Sequence, residues 1–237
     1  MSCSANHKNN ILDEIVDSLK SEFPDVVSKP KKYRLQILYT QIDRNKKNEP
    51  ILSTYSFGVD TGKYFYPASC VKLPIAVLAL EKARSISKVG ITDRFEILPG
   101  PIYKSGVSND VSSKSGYPSL AHSIRNLFII SDNSANNYLY DFLGRDHINK
   151  RLWDLGYNSS RIKHRLSLSL SKEENKFTHP INFYNESNIS YEQKNQIASL
   201  SLDLNVEDFK IGKSHYVCGT KRDGHLDFRS KNFINLP

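Results

Sequence analysis

Cysteine is scarce in this chain: Cys3, Cys70 and Cys218 are the only three among 237 residues. No two of them stand at the spacing of a zinc clip. The seven histidines are dispersed, without a His-x-x-x-His pattern. Those absences argue against a metal site, and no cofactor is expected. No stretch approaches the apolar length of a membrane span. The amino end, MSCSANHKNN, lacks the charged and apolar regions of a signal peptide. Also missing is any Lys/Arg run interleaved with aromatics. The formal net charge of +8 comes from 33 basic and 25 acidic residues scattered from end to end. That distribution speaks against a nucleic-acid surface and suits an anionic small substrate or an anionic envelope.

What is present reads as an ordinary globular composition, 38% hydrophobic and 24% charged, long enough to bury a sizeable core. Residues 10 to 23, NILDEIVDSLKSEF, carry apolar side chains at helical spacing, and Pro24 is expected to stop that helix. YRLQILYTQID and ILSTYSFGVD, separated by a polar connection, predict an antiparallel hairpin. A long apolar helix runs from about Ser69 to Ser87, and a Gly, Pro, Ser and Asn-rich loop covers 99 to 118. Three further helices come next: one capped by Ser119, one ending at Gly144 and one ending at Gly156. Beyond residue 166 the chain turns polar, and no strong strand is predicted after residue 60.

Two short patterns carry chemistry. In PASCVK, Ser69 and Lys72 stand three apart where an apolar helix begins. A serine needs a base to become a nucleophile. A lysine one helical turn on lies over the same face, and apolar neighbours depress its pKa toward the neutral amine. A helix amino end also offers N–H groups to a developing oxyanion. The spacing alone is weak, since Ser-x-x-Lys recurs at Ser28, Ser85, Ser160 and Ser169. A helix cap beside a solvated lysine would look the same. The second pattern, Ser131-Asp132-Asn133, occurs once, between two predicted helices. Those residue types are preferred helix caps. They can also present a hydroxyl that relays a proton and an amide that binds a carbonyl, with Asp132 holding the turn.

Together, Ser-x-x-Lys at 69–72 and Ser-Asp-Asn at 131–133 resemble the class A β-lactamases and penicillin-binding proteins. The likeness extends through SLAHSIRNLFIISDNSANNYLYDFLG and INKRLWDLGYNSSRIKHRL, covering roughly residues 33 to 166. It implies an α+β fold, an α/β sandwich plus an all-helical domain, truncated before its carboxy-terminal strands. The expected organisation is a tether and first helix at 1–32 and a hairpin at 33–68. The nucleophile helix and helical domain would span 69–166, and a polar insertion 167–237. It implies a serine hydrolase that opens β-lactam amides through a Ser69 acyl-enzyme. Lys72 would be the general base or its partner, Ser131 the proton relay to the leaving nitrogen, and Asn133 a substrate contact. The Ser69 backbone N–H would form half of the oxyanion hole. A D-Ala-D-Ala carboxypeptidase or esterase, and a non-catalytic envelope lipoprotein, are the alternatives.

Two departures from that family qualify the expectation. The glutamate that activates the deacylating water would fall near Leu166, which is not an acid. Glu173 or Glu174 could serve if the loop is longer, and otherwise are solvated loop carboxylates. The third motif, Lys-Thr-Gly, is not found: CGTKRDG has the letters in another order, and Lys210-Ile211-Gly212 has no strand predicted after it. The chain is therefore expected to be the amino-terminal part of a larger hydrolase. Cys3, behind a small residue and before a polar tether, resembles a lipidation site, a cytoplasmic start with an incidental cysteine being the alternative. An upstream signal would then place the protein in the periplasm or envelope of a bacterium, as a monomer acting on a β-lactam or peptidoglycan-type peptide. Cys70 is expected to be a buried thiol, with pairing to Cys218 conceivable in an oxidising envelope.

Overall fold

A computed structural model describes residues 10–60, 67–202, 215–222 and 225–231. Cys3, Lys210, Ile211 and Gly212 lie outside the described residues, as does the side chain of Cys218. The chain separates into two units, Met1–Phe65 and Tyr66–Pro237.

In the first unit, Asn10 caps helix α1 (Ile11–Ser18), which buries Leu12 and Val16. The helix ends before the sequence suggested. Pro24 does not stop it but opens a second helix, α2 (Pro24–Ser28). Proline suits that first helical position because the N–H it lacks would have no intrahelical partner there. A single turn, α3 (Pro30–Tyr33), comes next. The predicted hairpin is present as β1 (Ile37–Arg44) and β2 (Pro50–Phe57), antiparallel with Ile37 opposite Phe57 and Arg44 opposite Pro50. Tyr39 stacks on Tyr55 and the Thr40 and Thr54 hydroxyls meet at 3.0 Å, cross-strand pairs of the kind that fix register. Leu38, Ile42 and Leu52 are exposed.

The second unit is organised around α4 (Lys72–Ser85), which continues from a 3₁₀ turn at Ala68–Val71. Its buried apolar residues, Ile75, Ala76, Leu78, Ala79 and Ala83, recur at three and four residue spacing, so one stripe faces the core. Packed into that core are α5 (Leu120–Ile129), α6 (Asn133–Leu143) and α7 (Arg145–Asp154). Ser119 caps α5 by accepting the His122 amide, and Gly144 takes a positive φ of 80° at the end of α6, as the sequence suggested. Lys82 reaches from α4 to the Phe142 carbonyl and, at 2.9 Å, to the Gln193 amide oxygen. Burial draws its pKa down to about 8.

Strands after residue 60 are present, contrary to expectation. β3 (Arg94–Ile97), β4 (Ile181–Asn185) and β5 (Asn188–Gln193) form an antiparallel sheet in the order β3-β4-β5. Phe95 and Ile97 face Phe183 and Ile181 in register, all four buried, while the alternate residues are half-exposed. Glu186, at φ 54°, turns the chain between β4 and β5. A further antiparallel pair, β6 (His215–Arg222) and β7 (His225–Lys231), corrects the reading of the carboxy-terminal segment as strandless. Asp223-Gly224 between them is a strong hairpin signal in sequence.

One buried ion pair organises the loop between α7 and β4. Asp141 of α6 and Arg165 are fully buried, joined by two bonds of 2.7 and 3.3 Å. The same carboxylate accepts the His179 backbone N–H at 2.9 Å and its Nδ1–H at 3.2 Å. On its other side, the ring's Nε2 accepts the amides of Ile102 and Tyr103. Asp141 thus clasps both ends of the segment 165–179. Asparagine side chains do the rest: Asn149 pairs with both backbone groups of Ile162, and Asn137 with both of Leu166, at 2.8–2.9 Å. Asp141→Ala would leave a buried guanidinium without its counter-ion. We expect a loss of about 3–5 kcal/mol in urea unfolding. The segment 165–179 should become the first site of limited proteolysis.

Candidate active site

Ser69 sits in the 3₁₀ turn that opens α4, exposed, one residue after Ala68, whose φ is +46°. Lys72 is the first residue of α4 and is 3% exposed. The turn between α5 and α6 faces it, held by Asp132. That carboxylate caps α6 by accepting the amides of Ser134 at 2.7 Å and Ala135 at 3.0 Å. Ser131, before the cap, is at φ +55°. A left-handed φ on a non-glycine residue costs on the order of 1 kcal/mol and survives only where the surroundings impose it.

The structure brings four of the sequence-chosen residues together. Lys72 Nζ donates to the Ser131 carbonyl at 2.5 Å, to Ser131 Oγ at 2.9 Å and to Asn133 Oδ1 at 2.7 Å. Ser131 Oγ donates to Ser69 Oγ at 3.3 Å. An ammonium has three N–H groups, and here all three are used on the Ser-Asp-Asn turn. Ser69 is therefore linked to Lys72 through the Ser131 hydroxyl. Burial pushes the Lys72 pKa below the ordinary lysine range, and the Asp132 carboxylate opposes that shift. Such an arrangement can shuttle a proton: a neutral Lys72 could take one from Ser131, which could take one from Ser69.

Glu173 and Glu174 are not brought to this cluster. Both lie at the 3₁₀ turn Glu174–Lys176 or its cap, exposed. Glu173 pairs with Lys176 at 2.8 Å. Glu174 accepts the Ser171 amide at 2.7 Å, which lowers its pKa. The residue that does meet the motif was not foreseen: Ser167 Oγ accepts Asn133 Nδ2 at 2.6 Å. It adjoins Leu166, where the family resemblance placed the missing acid, and its φ is +57°. Nothing in the local sequence marks it. Cys70 is also corrected: it is a free, exposed thiol, because the 3₁₀ turn carrying it lies at the surface. Among the described residues no group of three or more His, Cys, Asp or Glu could hold a metal ion.

Asp132→Ala should cost about 1 kcal/mol in urea unfolding by removing the α6 cap. Asp132→Asn keeps the cap, so its stability should match the parent. Because the carboxylate raises the Lys72 pKa, the asparagine variant should shift Lys72 titration to lower pH, read by ¹³Cε NMR.

Compared with known proteins, residues 18–198 match the model of the Beta-lactamase enzyme family. No curated protein and no solved structure matches the chain.

Proposed function

The chain belongs to the β-lactamase enzyme family, and from that premise we propose that it is a serine hydrolase opening β-lactam amides through a Ser69 acyl-enzyme. The observation that carries this reading is the linked set Ser69, Ser131, Lys72 and Asn133, held by bonds of 2.7–3.3 Å among their side chains. Ser69 Oγ adds to the ring carbonyl while its proton passes through Ser131 toward neutral Lys72. As the C–N bond breaks, Ser131 hands a proton to the leaving nitrogen, and the acyl group remains as an ester on Ser69. In this reading the Asn133 amide contacts the substrate carbonyl. The Ser69 backbone N–H supplies one oxyanion donor.

Among the described residues the second half-reaction has no evident base. Among the described residues no carboxylate is hydrogen-bonded to Ser69 or Lys72, and Glu173 and Glu174 are engaged elsewhere. Water attack on the ester is therefore slow in this proposal, and the acyl-enzyme persists as in the penicillin-binding alternative.

Incubation with benzylpenicillin followed by intact-mass measurement tests the reading. We expect one covalent adduct on Ser69 lasting minutes or longer, and none on Ser69→Ala. A folded protein that gains no adduct and turns over no chromogenic cephalosporin would refute it. Fast turnover would refute slow deacylation alone. Ser167→Glu would set a carboxylate beside Asn133. On the scale of general-base catalysis it should shorten adduct lifetime on the order of a hundredfold.

A further inference from the structure

We propose that Ser167 is a positioning residue, its hydroxyl fixing the Asn133 amide so that the oxygen faces Lys72 and the nitrogen faces the loop. As a catalytic role this deepens the acyl-enzyme reading and rests on it. The amide has two faces and two neighbours. Its Oδ1 accepts from Lys72 at 2.7 Å, and its Nδ2 donates to Ser167 Oγ at 2.6 Å. In the reversed orientation an NH₂ group would meet an ammonium, two donors with no acceptor between them. A hydroxyl can accept or donate, so Ser167 alone does not forbid the flip. The ammonium therefore selects which end of the amide faces it, and Ser167, by accepting Nδ2, holds the oxygen on Lys72 against rotation of the side chain toward solvent.

Two further observations point to Ser167 rather than to a chance contact. The bond spans 34 positions in sequence and joins the loop 165–179 to the first residue of α6. Ser167 is held at φ +57°, next to Leu166, whose backbone is fixed on both sides by Asn137. The clasp at Asp141 and the Asn137 pair therefore deliver a strained serine to one amide. Through that amide Ser167 bears on Lys72, whose pKa burial lowers and the Asp132 carboxylate raises.

The test uses two variants chosen for the left-handed backbone. Ser167→Gly removes the hydroxyl and relieves the strain, so the fold survives. Ser167→Asn tolerates positive φ and restores an acceptor within reach. Titration of Lys72 is followed by ¹³Cε NMR in the ligand-free protein, together with the pH profile of acylation by a fluorescent penicillin. In Ser167→Gly the freed amide should swing away from Lys72, and the ammonium, short of one acceptor, should titrate lower by about one unit. The acid limb of acylation should move down with it, and Ser167→Asn should return both toward the parent. An unchanged Lys72 titration in Ser167→Gly, or an asparagine variant that behaves as the glycine one, would overturn the proposal. If the parent protein takes up no penicillin, the hydrolase reading fails, while the ligand-free titration still decides the role of Ser167.

Discussion

The carboxylate of Asp141 must be satisfied inside the protein, where an unpaired charge would cost several kcal/mol. It meets that demand with the Arg165 guanidinium and with two N–H groups of His179. The guanidinium in turn spends a remaining donor on the Phe177 carbonyl at 2.7 Å. Because Asp141 belongs to α6, the partners it needs must come to that helix. They stand at the two ends of the segment 165–179, so satisfying one buried charge closes the segment against the helix that begins with Asn133. The asparagines at 137 and 149 extend the same logic, their amides standing in for a neighbouring strand along 162–166. Apolar packing around α4 supplies the bulk of the stabilisation, but it is indifferent to register. The polar groups fix which residue reaches the site.

Strain is concentrated where those constraints meet. Ala68, Ser131 and Ser167 are three of the six non-glycine residues with positive φ among the described residues. They precede the serine of the first motif, belong to the second, and contact the second from the loop. The Ser131 and Ser167 conformations are held by identifiable bonds. The Ser131 carbonyl is drawn toward Lys72, Asp132 ties down the first turn of α6, and Asn137 grips the backbone at Leu166. Outliers that are held by surrounding bonds and gathered at one place mark a site that the rest of the fold stabilises.

Much of this was legible in sequence because it is local. Ser119 as a cap, Gly144 as a stop and the β1–β2 hairpin depend on neighbours a few residues away. Ser69, Lys72, Ser131 and Asn133 were found by resemblance, and the structure brings them together. The failures are non-local. β3 has four residues and pairs with β4 far along the chain, so neither looks like a strand until the other is present. Pro24 has two meanings, a stop for the preceding helix or the opening of the next, and only the backbone decides. Ser167 depends on the clasp at Asp141, whose members are spread over α6 and both ends of a loop. Aligning that loop by letters alone led to Leu166 and then to Glu173 and Glu174. The side chain that touches Asn133 is one residue beyond Leu166.

The direction of the hydrogen bonds defines what the resting site still has to do. Lys72 donates to Ser131, and Ser131 donates to Ser69, so the chain of bonds runs from lysine to nucleophile. Deprotonating Ser69 requires the opposite polarity. Lys72 must first lose a proton, after which its lone pair can accept from Ser131 and the Ser131 oxygen can accept from Ser69. Both serine hydroxyls can rotate to reverse their bonds, and the lysine has two donors left to keep Asn133 and the Ser131 carbonyl. The reversal therefore needs no movement of backbone, only the removal of one proton from a buried amine. Burial favours that removal, while Asp132 and the Asn133 oxygen oppose it. In the proposed acylation, the balance among those three would set the pH at which Ser69 becomes a nucleophile, so the orientation of a single amide would bear on the chemistry of a residue it does not touch.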